Sequence, residues 1–136
     1  MNTSKQLVQV QDKRIVLSTL WIFVMFSIAY ADIIGYLEPG TLDRIMRGDV
    51  GFTLTPAIIV IISLIQALPI AMIVVSRLFR RGLSRWLNIG AGLLTLLYVL
   101  GGGNWESVSY FIFASLEVIA IGWIIWQAWI WRNDEA

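Results

Sequence analysis

The chain has 136 residues, of which 58% are hydrophobic and 14% charged, with a formal net charge of +1 and a mean hydropathy of +0.77. A soluble domain carries about 25% charged residues to cover its core, so this composition predicts a protein dissolved in lipid. The sequence has no cysteine and no histidine, which excludes disulfides and thiolate metal sites and removes the commonest metal ligand. No basic tract indicates nucleic acid. We therefore expect no metal, no cofactor and no nucleic-acid partner.

Four segments contain the roughly 20 mainly apolar residues that a membrane-spanning helix requires. The predicted spans cover residues 15–37, 56–79, 84–101 and 105–131, with residues 1–14 and 132–136 as tails. Thr55 and Pro56 begin the second span as an N-cap residue followed by proline at the first helical position. Glu38-Pro39-Gly40 and the three glycines from Gly101 end the first and third spans. The pattern predicts an all-α four-helix membrane bundle.

The first loop contains Leu42, Ile45 and Met46 at helical spacing among charged residues. Residues 41–48 are interpreted as a short helix lying at the membrane interface. A polar loop remains the alternative.

Lysine and arginine are distributed unequally between the two sides of the predicted bundle. One side carries eight of them: Lys5, Lys13, Arg14, Arg77, Arg80, Arg81, Arg85 and Arg132. The other side carries only Arg44 and Arg47. Because positively charged loops stay cytoplasmic, both termini are expected to be cytoplasmic and the protein to be a multi-pass protein of the inner (plasma) membrane.

The first span has a second interpretation. Lys13-Arg14, the apolar stretch and Ala29-Tyr30-Ala31 together resemble a cleavable signal peptide. Cleavage would leave three spans beginning at Asp32. The apolar run continues past that site to Leu37, which favours a spanning helix.

Each predicted span has one stripe that is smaller and more polar than the rest, and such stripes point at other helices in lipid. The stripes are Ser18, Ile22, Met25, Ala29, Asp32 and Tyr36 on the first span; Ser63, Gln66, Ile70, Ile73 and Arg77 on the second; Asn88, Gly92, Thr95 and Val99 on the third; and Ser107, Tyr110, Ala114, Glu117 and Ile121 on the fourth. We expect these residues to line the interior.

Ionisable groups within a span are costly, by about 2.5–3.5 kcal/mol on insertion scales. At 1.5 Å per residue, Asp32 lies about 8 Å below the outer end of its span and Glu117 about 18 Å deep, with Gln66 at a similar depth. Two interpretations stay open. The carboxyl groups either form local hydrogen bonds that fix helix register, with Glu117 protonated, or Glu117, Asp32, Gln66, Tyr110 and Tyr36 line a path or cavity for a small ligand, a cation or a proton.

The remaining charged residues have simpler interpretations. Glu38 and Glu106 flank the outer ends of spans and are interpreted as solvated caps. The cluster Arg77, Arg80, Arg81 and Arg85 is interpreted as a topology signal, with anionic lipid headgroups as its alternative role.

Three stretches of the first span and its loop carry a family resemblance: Leu17-Ser18-Thr19-Leu20-Trp21, Tyr30-Ala31-Asp32-Ile33-Ile34-Gly35 and Glu38-Pro39-Gly40. Residues 69–72, Ser76-Arg77, Asn88-Ile89 and Gly92 continue the pattern. The chain resembles a family of small bacterial four-span membrane proteins of unknown function and, more loosely, the DoxX-like group. The resemblance implies a stand-alone membrane protein and no particular activity.

We expect a non-enzymatic membrane protein that binds a small or lipidic ligand, or a partner protein, through its helices. The alternative is a proton- or cation-coupled transporter or channel subunit, forming a homo-oligomer and using Glu117 and Asp32. A membrane enzyme acting through carboxylates and tyrosines is a third class.

Overall fold

The computed structural model describes residues 3–131, and within that range the chain is helical and contains no strand. The helices are α1 Thr3–Gly35, α2 Thr41–Met46, α3 Pro56–Leu78, α4 Arg81–Gly101 and α5 Val108–Ile130. Among these, α1, α3, α4 and α5 are long and apolar enough to cross a membrane. The all-α class and the prediction of four possible spans are confirmed.

The four long helices form a bundle in which α1 and α4 each pack against both α3 and α5. The helices α1 and α4 therefore lie at opposite corners. Neighbouring helices run antiparallel, so one end of the bundle gathers Arg14, Arg77, Arg80, Arg81 and Arg85, and we call it the basic end. The opposite, acidic end carries Asp32, Glu38 and Glu106.

Local sequence explains where the helices begin. The Thr55 hydroxyl accepts a hydrogen bond from the Ile58 backbone N–H at 3.3 Å, and Pro56 follows it as the first helical residue. The Ser107 hydroxyl caps α5 in the same way, at 3.2 Å from the Tyr110 N–H. Helix α2 follows Gly40, whose φ of 80° is left-handed. Residues 41–46 are helical and do not form an irregular loop.

Helix α1 is longer than the apolar run that predicted it. It begins at Thr3, within the predicted tail, and continues without a break through Ala29-Tyr30-Ala31 to Gly35. Its 33 residues are about 50 Å long at 1.5 Å per residue, against about 35 Å for α5. Helix α1 therefore extends beyond the basic end of the bundle, through a segment rich in polar residues.

The interior of the bundle contains both polar and apolar side chains, while many other large apolar side chains face outward. The buried polar residues are Ser18, Ser27, Ser76, Ser84, Asn88, Thr95 and Glu117. Leu64, Leu97 and Ile119 are each about two-thirds exposed on the outside. This distribution suits a lipid environment, in which helices associate through small and polar side chains.

The predicted interior stripes agree with the structure on α4 and α5 and differ on most of α1 and α3. On α4 and α5, Asn88, Thr95, Ala114, Glu117 and Ile121 are buried as expected. On α1, Ser18 is buried as expected, but its buried neighbours are Leu17, Trp21, Val24 and Ser27, and on α3 the buried residues are Pro69, Met72 and Ser76. The buried faces of α1 and α3 differ from the predicted stripes because the prediction selected small and polar residues, whereas the buried Trp21 and Met72 are large.

Candidate functional site

A cleft opens at the acidic end, where α1 and α4 end and α5 begins. Its volume is about 230 Å³. The polar residues lining it include Asp32, Tyr36, Glu38, Arg44, Asn104 and Tyr110. Helices that are distant in sequence contribute these groups, so the cleft exists only in the folded bundle. It contains two carboxyl groups and one guanidinium group, which makes it net acidic.

The amide of Gln66 joins three helices beside this cleft. Its Nε2 donates to Asp32 Oδ2 at 3.1 Å and to Tyr98 Oη at 3.2 Å. A glutamine NH₂ group has two hydrogens, so one amide can make both bonds. A smaller apolar cleft of about 180 Å³ lies between α1 and α3 on the other side of Asp32, lined in part by Gln66 and Pro69.

The carboxylate of Glu38 ties the end of α1 to the start of α5. Its Oε1 accepts hydrogen bonds from the hydroxyls of Ser107 and Ser109, the latter at 2.7 Å. These two bonds are the main reason that the pKa of Glu38 lies below its ordinary value, with a smaller contribution from the positive charge of Arg44. The carboxylate of Glu38 is therefore held in place by two side chains, in addition to its contact with solvent.

Tyr110 is fixed at the inner wall of the cleft. Its hydroxyl donates to the Val99 carbonyl oxygen, and the Trp105 ring packs edge-on against it at 5.4 Å between centroids. A Cβ atom at Gly103 would overlap the Tyr110 ring. Glycine at 103 is therefore required by this close approach.

Glu117 lies deeper and does not line the cleft. It is 4% exposed, and its Oε1 has no hydrogen-bond partner among the described residues. Ser27 of α1 is 7% exposed and faces it, and the Ser27 hydroxyl also has no partner within residues 3–131. Tyr98, Tyr110 and Asp32 lie within electrostatic range of Glu117. A buried carboxyl group and a buried hydroxyl thus face each other with unused hydrogen-bonding capacity.

A separate, fully bonded polar cluster lies near the basic end. Asn88 Oδ1 accepts from Trp21 Nε1 at 2.7 Å and from Ser76 Oγ at 3.1 Å, and Asn88 Nδ2 donates to the Ser84 carbonyl oxygen at 2.7 Å. These four side chains, Trp21, Ser76, Ser84 and Asn88, are fully buried. They bond mainly to one another, which indicates a structural role.

The arginines of the basic end have different surroundings. Arg77 Nε donates to Ser18 Oγ at 3.1 Å, and Arg14 Nη1 donates to the Arg77 carbonyl oxygen at 3.1 Å. Arg85 Nε donates to the Ala128 carbonyl oxygen at 3.0 Å, and its guanidinium group lies over the Trp86 and Trp129 rings. Arg80 is exposed. Arg77 contacts α1 and Arg85 contacts α5, so these two arginines of the predicted lipid-headgroup cluster do not form one site.

The structure separates the residues predicted to line a ligand or proton path into those at or beside the cleft and the deeper Glu117. Asp32, Tyr36 and Tyr110 line the cleft, Gln66 bonds to Asp32 beside it, and Glu117 lies below. Sequence reasoning missed Ser27, Tyr98 and Ser109 as members of this region, and it predicted Ser107 only as an interior residue. Ser27 and Tyr98 carried no signal beyond being polar residues within apolar spans. No group of three or more acidic residues within residues 3–131 could hold a metal ion.

The model of a family of unknown function, DUF6326, matches residues 5–136. The chain belongs to this family. No curated protein and no solved structure matches the chain. Membership in DUF6326 confirms the resemblance to a family of unknown function, while the DoxX likeness and the bacterial origin remain predictions.

Proposed function

We propose that this DUF6326 member is a non-enzymatic, multi-pass protein of the inner membrane that binds a small ligand in the cleft at its acidic end. We infer that both termini are cytoplasmic, since the basic end gathers five arginines from α1, α3, α4 and the α3–α4 connection, and positively charged segments stay on that side. The cleft then opens to the outside. The lipid bilayer is the surrounding partner.

One observation carries the ligand proposal. The cleft presents hydrogen-bond acceptors that the protein itself leaves unused: Asp32 Oδ1, Glu38 Oε2 and Tyr36 Oη have no partner among the described residues. The other carboxylate oxygen of each acid is already bonded: Asp32 Oδ2 to Gln66, and Glu38 Oε1 to Ser107 and Ser109. Both carboxyl groups are therefore preorganised.

The charge of the cleft selects the ligand class. The cleft has two carboxyl groups, Asp32 and Glu38, and one guanidinium group, Arg44, so its net negative charge favours a cation. An ammonium group supplies three hydrogen-bond donors for the free acceptors. The cleft volume of about 230 Å³ lies below the roughly 300–1,000 Å³ of pockets that hold drug-sized ligands. A small organic amine fits these limits.

Direct binding measurements test this function. Calorimetry on the purified protein should detect saturable binding of ethanolamine or putrescine, with acetate and ethylene glycol as anionic and neutral controls. Asp32→Asn should weaken amine binding about tenfold, because a hydrogen bond to a charged acceptor is about twice as strong as a neutral one. Glu106→Gln removes a matched charge from an exposed acid outside the cleft and should leave binding unchanged. Equal heats for amines and for ethylene glycol would refute the assignment.

A second function is favoured by a different observation. Glu117 Oε1 and Ser27 Oγ are buried without partners among residues 3–131, and Tyr98 lies within electrostatic range of both Glu117 and Asp32. Intramembrane carboxyl groups of this kind mark ion and proton pathways. The alternative is therefore a proton- or cation-coupled transporter or channel subunit that uses Asp32 as the entry group and Glu117 as the inner group.

A further inference from the structure

A second cleft lies at the other end of the bundle, between α1 and α3. Its volume is about 360 Å³, and its lining is Ser18, Ile22, Ile73, Val74, Arg77 and Leu78. It belongs neither to the acidic-end cleft nor to the surroundings of Glu117. Lipid binding here rests on the membrane placement proposed above, but not on amine binding at the acidic end.

The residues of this cleft are ordered along the membrane normal. Arg77 and Leu78 are the last residues of α3, so they lie at the level where a spanning helix leaves the hydrocarbon. Ile73 is one turn deeper, about 6 Å below Arg77 at 1.5 Å per residue. Ile22 is similarly one turn below Ser18 on α1. Ser18 and Arg77 thus form a polar rim near the basic end, and Ile22, Ile73 and Val74 form an apolar slot deeper in the bundle.

The rim has unused donors for an anion. Arg77 is bonded through Nε to Ser18, which orients the guanidinium group while its two Nη atoms have no partner among the described residues. Arg14 donates through Nη1 to the Arg77 carbonyl oxygen but does not line the cleft. Asp12 is the only described acidic residue on this side of the bundle. The Arg77 guanidinium group therefore lies at the rim with little local negative charge to neutralise it.

We propose that this cleft binds an anionic phospholipid, with its phosphate at the Arg77 guanidinium group and an acyl chain along Ile22, Ile73 and Val74. Guanidinium groups match phosphate oxygens in both charge and geometry. The apolar slot below requires a ligand with a hydrocarbon tail, which a free phosphate lacks. Arg85 does not take part, because its guanidinium group is held by α5 and two tryptophan rings.

The test is a lipid titration of the delipidated full-length protein in mild detergent, followed by native mass spectrometry. Phosphatidylglycerol should bind saturably, and zwitterionic phosphatidylcholine should bind at least about tenfold more weakly. Arg77→Gln should weaken phosphatidylglycerol binding about tenfold, since it removes charge-assisted hydrogen bonds. Arg80→Gln is the matched control: it removes the same charge from an exposed position at the same end, and binding should change less than about twofold.

A second variant separates lipid binding from folding. Arg77 also bonds to Ser18, so its substitution could disturb helix packing. Val74→Trp leaves every described hydrogen bond in place and fills the slot from a position that is 53% exposed. It should abolish phosphatidylglycerol binding while the protein remains helical.

Three results would overturn the proposal. They are equal affinity for the two lipids, an equal loss in Arg80→Gln and Arg77→Gln, and unchanged binding in Val74→Trp. Displacement of phosphatidylglycerol by inorganic phosphate at comparable concentration would also reject it, because the occupant would then be a free anion.

Discussion

The indole N–H of Trp21 donates to the side-chain oxygen of Asn88 at 2.7 Å, and this bond joins α1 to α4 at opposite corners of the bundle. Ser76 of α3 bonds to the same oxygen. One asparagine therefore holds three of the four long helices together in the dry interior. Buried polar groups bonded in this way specify one arrangement of helices, because any other arrangement leaves them unpaired.

The first prediction concerns this cluster. Asn88→Leu leaves the Trp21 N–H and the Ser76 hydroxyl without their acceptor, and each buried unpaired group costs about 1–3 kcal/mol. Trp21→Phe removes one donor while Asn88 Oδ1 keeps Ser76, and it should cost about 0.5–1.5 kcal/mol for the hydrogen bond plus the cavity left by the buried indole. Thermal unfolding in detergent measures both. An Asn88→Leu protein as stable as the parent would show that the cluster contributes nothing.

The second prediction compares two glycines of α4. A Cβ at Gly92 would lie 2.8 Å from Ile125 Cγ1 of α5, whereas nothing lies within 4 Å of one at Gly90. Gly92→Ala should therefore push α5 away and destabilise the protein by about 1–3 kcal/mol. Gly90→Ala should be neutral or stabilising by up to about 1 kcal/mol, because alanine favours helix. The same melting assay tests the pair, and equal effects would contradict close α4–α5 packing at Gly92.

The third prediction is a pH dependence from Glu38. Its pKa is lowered below the ordinary 4.5 by the hydroxyls of Ser107 and Ser109. A group with a lowered folded-state pKa stabilises the fold above its unfolded pKa, and that stability is lost as the pH falls through the folded-state value. The parent should thus exceed Glu38→Gln in stability at pH 7, and the difference should vanish in acid, below pH 4.5.

Melting curves from neutral pH to pH 3 measure this difference. Glu106→Gln, at an exposed acid of the same end, serves as the control and should run parallel to the parent. A gap between the parent and Glu38→Gln that stays constant with pH would exclude the ionised carboxylate as its cause.

The fourth prediction separates binding from transport. Glu117→Gln keeps the shape of the side chain, so the protein should melt within about 1–2 kcal/mol of the parent. If Glu117 carries a proton or a cation, the variant should lose a pH-dependent flux in proteoliposomes while remaining folded, and Asp32→Asn should reduce the same flux. A variant that transports as well as the parent removes Glu117 from the mechanism.

The fifth prediction tests orientation. A cysteine introduced at Asp49 should react with an impermeant thiol reagent in intact cells, and one at Ser4 should not, since the chain has no native cysteine to interfere. Both positions are exposed in the fold. Labelling at Ser4 but not at Asp49 would reverse the inferred topology.

Length and hydropathy predicted the spanning helices because lipid imposes a simple condition. Backbone groups in hydrocarbon must be satisfied within the segment, so a long apolar run has to be helical. The N-cap at Thr55 and the glycines after α4 are similarly local, and they predicted helix ends close to those observed. The start of α1 at Thr3 was missed, because nothing in a polar segment outside the hydrocarbon demands or forbids a helix.

The candidate site depends on contacts that no local pattern encodes. The sequence indicated Asp32 and Gln66 separately, but only the packing of α1 against α3 brings them within 3.1 Å. The bonds from Ser107 and Ser109 to Glu38 could not be predicted, because these serines lie about 70 residues away in the chain.

The sequence by itself determined an all-α chain of four possible spans, since that follows from the free energy of placing each segment in lipid. Which face of α1 and α3 turns inward was decided by the tertiary structure. In lipid, apolar side chains gain almost nothing by burial, so hydrophobicity does not orient a helix. Orientation follows from shape and hydrogen bonding instead, and at α1 the Trp21 bond to Asn88 buries a large aromatic residue that the small-residue stripe had left outside.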